Sequence, residues 1–240
     1  MKRALYFFLL AALVWLVVQP NLAAGTREPE VRVPVYGVDL QTSTQITKDQ
    51  CDSQSVIVID PAAGGADAGY DPAAHISEKD LAMDIAVQVG EKLADAGYQV
   101  AYTRWYDDID SFATEQESDT WRLNKARELG GNYMLSLRFT EGNDGLDRGF
   151  SVFTQPNNAL LESLATHIAQ NIQATNFTLY EGLDTDHYAN FPVLSDAGMP
   201  SVLLQLGYLT NNDDYTKLSD PEFRDQLADA IVKAFLQTVN

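Results

Sequence analysis

The sequence predicts an α/β fold, a single domain built on an open, mostly parallel sheet with helices on both faces, spanning residues 55–240. Three observations predict it. Short apolar runs rich in β-branched residues alternate along the chain with longer stretches that repeat apolar residues every three to four positions. The short runs are apolar nearly throughout, as strands buried on both faces are. The composition permits such a fold: 240 residues with 45% apolar side chains are enough for one well-buried domain and too apolar for a disordered chain.

The N-terminal part precedes this alternation. Lys2 and Arg3 lead into a fifteen-residue apolar run, Ala4–Val18, closed by Gln19 and Pro20. The run is shorter than the roughly 20 residues of a membrane span and has the layout of an export signal. Leu22-Ala23-Ala24 offers a cleavage site before Gly25, whereas Tyr6 and Trp15 would suit the interfaces of an uncleaved anchor. Residues 1–24 are therefore read as a signal peptide or a membrane anchor. Either way the rest of the chain is expected outside the cytoplasm, secreted or held on the outer face of the membrane through residues 4–18 alone. Residues 25–54 are polar and read as a linker, with one short strand at Val31–Val38 broken by Pro34. Cys51, the only cysteine, falls there. One thiol makes no intramolecular disulfide and no cysteine-based zinc site, so it is read as a free thiol.

The elements then follow in order. Ser55–Asp60 (SVIVID) is the first strand. From Ser77 to about Ala96, Leu81, Ile85, Val89 and Leu93 recur on one helical face, and Gly97 stops the helix. Tyr98–Thr103 is the next strand; a helix follows over Asp119–Leu129, ended by Gly130-Gly131. Asn132–Leu137 and Gly149–Thr154 are strands, and Asn158–Ala174 is a helix through Leu161, Leu164, Ile168 and Ile172. Ser201–Leu206 is a buried strand. The last helix starts at Ser219-Asp220-Pro221, a capping residue followed by proline in the first turn.

The charge excludes some functions. Acidic residues number 34 and basic ones 16, a net charge of −18. So few Lys and Arg build no phosphate-gripping face, which argues against nucleic acid, and no polybasic patch for an anionic membrane surface.

Ligands of parallel sheets sit at the carboxyl ends of the strands, so those segments are the ones to inspect. They are Asp60-Pro61-Ala62-Ala63-Gly64-Gly65, Ser77-Glu78-Lys79-Asp80-Leu81, Ser136-Leu137-Arg138-Phe139 and Leu204-Gln205-Leu206-Gly207-Tyr208-Leu209-Thr210-Asn211. In this order they resemble the zinc-dependent N-acetylmuramoyl-L-alanine amidases of bacterial cell walls, the family 3 type with its zinc-exopeptidase-like fold. The corresponding family segments are Asp-Pro-Gly-His-Gly-Gly, Glu-Lys-Asp, Ser-Ile-His-Ala-Asn and Val-Glu-Leu-Gly-Phe-Leu-Ser-Asn. Further matches are Gly97-Tyr98-Gln99-Val100, Thr103-Arg104, Arg122, Ala126, Gly149-Phe150, Phe191-Pro192-Val193-Leu194, Pro200 and Leu218-Ser219-Asp220-Pro221-Glu222-Phe223.

The resemblance implies a zinc held by two His and one Glu, with a second Glu as general base. A catalytic zinc needs three protein ligands and an open position for water, and a base to take that water's proton. Position by position, the first His falls on Ala63, the ligand Glu on Glu78, the second His on Arg138 and the base on Gln205. Ala63 has no donor atom. Gln205 keeps the shape of Glu without its basicity. Arg138 has only donors, and a guanidinium ~4 Å from a dication would repel it by on the order of 8 kcal/mol at an effective dielectric of ~20. The resemblance therefore implies a pseudo-amidase: a degenerate member with no functional catalytic residue, no metal and no cofactor. With the metal gone, a Glu78–Arg138 ion pair is expected to replace it.

Two residues are candidate substitute ligands. Asp67 and His75 stand near Glu78 and could rebuild a zinc site with it. His187 lies in a polar loop and His167 on a helix surface. The aromatics Trp105, Tyr106 and Trp121 flank the acidic stretch Asp107–Asp119, and the loop Tyr106–Asp119 follows a strand's carboxyl end and would line the pocket or present a partner surface. The function expected is an extracytoplasmic amidase-like domain that binds a cell-envelope protein partner or peptidoglycan. The alternative is an active amidase that cleaves the muramoyl–L-alanine amide through a rebuilt zinc site.

Overall fold

The computed structural model describes residues 55–71, 76–187, 190–196 and 198–239. The leader, the linker with its expected strand at Val31–Val38, Cys51 and His75 lie outside the described residues. Six described strands form one sheet: β1 (Val56–Pro61), β2 (Gln99–Tyr102), β3 (Tyr133–Thr140), β4 (Phe150–Thr154), β5 (Tyr180–Asp184) and β6 (Ser201–Tyr208), in the order β2-β1-β3-β6-β4-β5. β2, β1, β3 and β6 run parallel, β4 is antiparallel to β6, and β5 is parallel to β4. The described α-helices are α1 (Glu78–Asp95), α2 (Glu115–Glu128), α3 (Ala159–Ala174), α4 (Asn212–Ser219) and α5 (Pro221–Thr238). The mostly parallel α/β sheet expected from the sequence is present.

Successive strand residues point to opposite faces, and both faces are covered. Ile57 and Ile59 of β1, Leu135 and Leu137 of β3 and Leu204 and Leu206 of β6 pack in one apolar cluster with α1, α3 and α5. Val58, Met134 and Leu203 point the other way, into a smaller cluster with Leu123 and Ala126 of α2 and with Val193 and Leu194 of a single 3₁₀ turn, Pro192–Leu194. The face of α1 named by its spacing is fully buried: Leu81, Ile85, Val89 and Leu93 are all 0% exposed. Each such side chain contributes about 1.5–3 kcal/mol on burial.

Three elements differ from expectation. α2 begins at Glu115 rather than Asp119. Thr114 caps it by accepting from the Glu117 amide, and Glu117 Oε2 accepts from the Ala113 amide, a close relative of the capping box. β5 and α4 were not expected. β5 is a half-exposed edge strand interrupted by Gly182 at φ 143°. α4 is a short helix capped by the Asn211 side chain, which accepts from the amides of Asp213 and Asp214.

Candidate functional site

The carboxyl ends of β1, β3 and β6 open onto a cavity of about 470 Å³. Ala63, Glu78, Arg138 and Gln205 all line it, so the four positions picked out along the sequence come together. Asp67 lines it as well. The loop after β2 closes one side through Ile109, Asp110 and Phe112, and Phe112 packs on Trp121 with ring centres 5.6 Å apart. His187 and His167 do not belong to it: His187 is exposed and bonded to Asp184 at 2.6 Å, and His167 meets Thr238 at 2.8 Å. A cavity of about 760 Å³ near α3 and α4, around Asn176 and Lys217, holds none of these positions.

Sheet parity explains how the side chains are dealt out. Arg138 follows Met134 and Ser136 on the α2 side of β3, and Gln205 follows Leu203 on the same side of β6, directly beside Arg138 in the strand register. Arg138 is 8% exposed and forms ion pairs with Asp119 and, at 3.4 Å, with Glu115, both on α2. It also donates to Ser136 Oγ at 3.2 Å. Burial works against its charge, but Asp119 and Asp60 outweigh burial and hold its pKa above the ordinary guanidinium value.

The expected Glu78–Arg138 ion pair does not form. Glu78 enters the cavity from the first turn of α1, which packs on the opposite face of the sheet, while Arg138 is directed to the carboxylates of α2. Glu78 Oε2 accepts from the Tyr70 amide at 3.1 Å instead. Burial raises the Glu78 pKa above the ordinary carboxylate range; the amides of Tyr70 and Phe139 and the charge of Arg138 act against that rise without cancelling it. Gly69 makes this seat possible. It holds φ 60°, and a Cβ there would stand 2.4 Å from Glu78 Oε2.

The loop that carries Ala63 is held by two buried arginines. Arg104 donates to the carbonyls of Pro61 at 3.0 Å, Ala62 at 2.9 Å and Lys79 at 2.8 Å. Arg122 donates to Pro61 at 2.7 Å, to Ala63 at 2.6 Å and to Asp60 Oδ1 at 2.9 Å. Asp60 is fully buried and also accepts from Thr103 at 2.6 Å and Ser136 at 2.8 Å. Burial pushes its pKa up, but Arg122 and Arg138 with these hydrogen bonds outweigh burial and keep it below the ordinary range. In the sequence, Asp60, Arg104 and Arg122 stand out only through the family resemblance. Asp119 was missed as well, because the helix was begun there rather than at the Thr114 cap.

The residues present do not fit the zinc that the resemblance implies. Of the three ligand positions only Glu78 offers a donor; Ala63 has none, and the Arg138 guanidinium is taken up by α2 carboxylates. Ala63 holds a left-handed backbone, φ 53°, a region in which His is enriched among non-glycine residues.

Comparison with known proteins agrees with the fold. The sequence model described as N-acetylmuramoyl-L-alanine amidase matches residues 57–237. The chain is 30% identical over 177 residues to N-acetylmuramoyl-L-alanine amidase LytC of Bacillus subtilis, covering 73% of this chain and 34% of that protein. It is 29% identical over 182 residues to the probable cell wall amidase LytH of Staphylococcus aureus, covering 73% of this chain and 55% of that one. It thus spans about a third of LytC and about half of LytH. Among solved structures, the amidase AmiC2 of Nostoc punctiforme superposes with a TM-score of 0.63 at 27% identity, over 76% of this chain and 96% of that one. The CwlD amidase of Clostridioides difficile, solved in complex with the GerS lipoprotein, superposes with a TM-score of 0.65 at 22% identity, over 78% and 98%. With the family's sequence matched from β1 to α5 and its motif positions gathered around one cavity, the chain belongs to the N-acetylmuramoyl-L-alanine amidase family.

Proposed function

We propose that this chain is a cell-envelope domain that keeps the amidase fold but not zinc hydrolysis, and that it works by binding a protein partner, with peptidoglycan as the second candidate ligand. One observation carries the reading: at the position of a metal ligand stands Arg138, buried and ion-paired to Asp119 and Glu115. A fixed guanidinium opposes a cation at that place, and the neutral Gln205 beside it takes no proton from water. The cell-envelope location rests on relatives named as cell wall amidases. The protein partner is supported by the CwlD–GerS complex of a protein with this fold and by the net charge of −18, which suits a partner with a basic face.

Zinc content and hydrolysis test this together. Purified full-length chain is expected to carry no stoichiometric zinc and to release no free peptide from peptidoglycan. Stoichiometric zinc with release overturns the reading. Cosedimentation with insoluble peptidoglycan then separates the two candidate ligands. A second reading, an active amidase with a rebuilt metal site, is favoured by one observation: Asp67 and Glu78 line the same cavity.

A further inference from the structure

The two edges of the described sheet differ. β5 is open, and each of its residues is at least partly exposed. β2 is closed. Among the described residues no strand lies beyond it, yet Val100 and Tyr102 are 0% exposed and Ala101 1%. The β1–β2 ladder shows which main-chain groups lie on the outer side. Ile59 pairs with Tyr102, and its carbonyl accepts from the Thr103 amide at 3.1 Å. The main-chain groups of a strand turn alternately to one side and the other. Ala101 and Thr103 therefore turn theirs to β1, and Val100 and Tyr102 turn theirs to the outer edge. Buried amides and carbonyls are nearly always paired. Among the described residues, none donates to or accepts from the outward groups of Val100.

The sequence that precedes β1 indicates the occupant. Val33–Val38 falls in the stretch expected as a strand, and Val33, Val35 and Val38 are β-branched. Pro34 selects the register. Proline has no N–H, and in a sheet it sits on an edge strand with its nitrogen turned to solvent. With Pro34 turned outward, Val33 and Val35 turn their amides to β2. The outward proline also blocks addition of a further strand. Residues 39–54 supply the connection. A strand beyond β2 lies two spacings, about 10 Å, from β1. Run antiparallel to β2, it ends at the side from which β1 starts, and residues 39–54 cover that distance with chain to spare. Residues opposite each other in an antiparallel pair share a face of the sheet. Val33 and Val35 then extend the apolar cluster that holds Val100 and Tyr102.

We propose that Val33–Val38 adds to β2 as an antiparallel edge strand, with Val33 opposite Tyr102 and Val35 opposite Val100. The inference is independent of zinc. β2 leads through Thr103 and Arg104 into the loop whose Ile109, Asp110 and Phe112 close the cavity. The added strand holds the root of that loop and ties the preceding chain to the strand that carries it.

Hydrogen exchange of the full-length chain, resolved to single amides, tests this. In wild type the amides of Val100 and Tyr102 are expected to exchange as slowly as those of the inner strand β3. Val35→Pro removes a donor to β2 and is expected to speed exchange at both positions at least about tenfold, with the β3 amides unchanged. Pro34→Ala is expected to leave both rates as they are, because that position faces away from β2. Fast exchange at Val100 and Tyr102 in wild type overturns the inference, as does slow exchange that survives Val35→Pro. The wild-type chain also gives a test that needs no variant. Pro34 lies opposite Ala101, so an Overhauser contact between their α-protons is expected by NMR of the labelled full-length chain. Its absence overturns the inference whether or not the variant folds.

Discussion

Replacing Arg138 by methionine removes a guanidinium that is 8% exposed and leaves Asp119, 1% exposed, without its ionic partner. Both oxygens of a buried carboxylate then lack a charged donor. Stranding one member of a buried pair costs about 3–5 kcal/mol. In a folded unit of this size about 1 kcal/mol corresponds to a Tm change of about 2–4 °C, so a fall of about 6–20 °C follows. The loss depends on pH in a definite sense. Burial already raises the Asp119 pKa above the ordinary carboxylate range despite the opposing charge of Arg138, and removing Arg138 raises it further. The folded variant therefore holds a proton that the unfolded chain has released, and its stability falls as pH rises through the window above the ordinary carboxylate value. The deficit relative to wild type is larger at pH 8 than at pH 5. Urea unfolding followed by circular dichroism at both values measures it. The double variant Arg138→Met/Asp119→Leu, which removes both charges, is expected to recover most of the loss, because an apolar pair avoids the desolvation cost. A single variant within about 1 kcal/mol of wild type at pH 8, the size of a surface pair, would refute the reasoning. So would a double variant no more stable than the single one.

Arg122→Ala removes the ion pair with buried Asp60 and two carbonyl contacts to the Ala63 loop, so a loss of about 3–5 kcal/mol in urea unfolding is expected. Gly64→Ala places a Cβ 2.6 Å from Arg104 Cδ at φ 127°. Arg104 is 2% exposed and tied to loop carbonyls, so it has little room to yield, and a loss of at least about 1–3 kcal/mol is expected in the same assay. Glu78→Gln removes a carboxyl whose pKa is raised by burial; the wild-type folded state binds the extra proton, so wild-type stability falls as pH rises through the window above 4.5. The variant is expected to exceed wild type in Tm at pH 7 and to match it at pH 3.5; a lower Tm at pH 7 would count against burial as the dominant cause. Restoring Ala63→His, Arg138→His and Gln205→Glu together is expected to confer zinc binding, read by elemental analysis of the purified variant, because the backbone at Ala63 still suits His.

Much of the site was legible along the chain. The strand-end segments announced themselves because their motifs are local, and folding brought Ala63, Glu78, Arg138 and Gln205 to one cavity as their order implied. The start of α2 is also legible in principle: Thr114 followed three residues later by Glu117 is a helix-start signal, and it extends the helix back to Glu115, one turn before Asp119. β5 was not legible in the same way. Its strand, Tyr180–Asp184, is short, half-exposed at the sheet edge and broken by Gly182, so it lacks the apolar run that marks the inner strands.

The partner of Arg138 belonged to a different class of question. A strand buried on both faces is apolar at every other position and at the positions between, so its sequence does not say which residues face which side. Met134, Leu135 and Leu137 are alike in character, yet Met134 faces α2 and Leu135 and Leu137 face α1, α3 and α5. The sequence by itself determined the α/β architecture and the family, and its motif order set Ala63, Glu78, Arg138 and Gln205 at the carboxyl ends of the strands or the start of the first helix. Only the tertiary structure decided where the charge of Arg138 went. Side-chain parity turned Arg138 toward α2, where Asp119 and Glu115 meet it across 19 and 23 positions of sequence, while Glu78, carried by α1, accepts from the main chain instead.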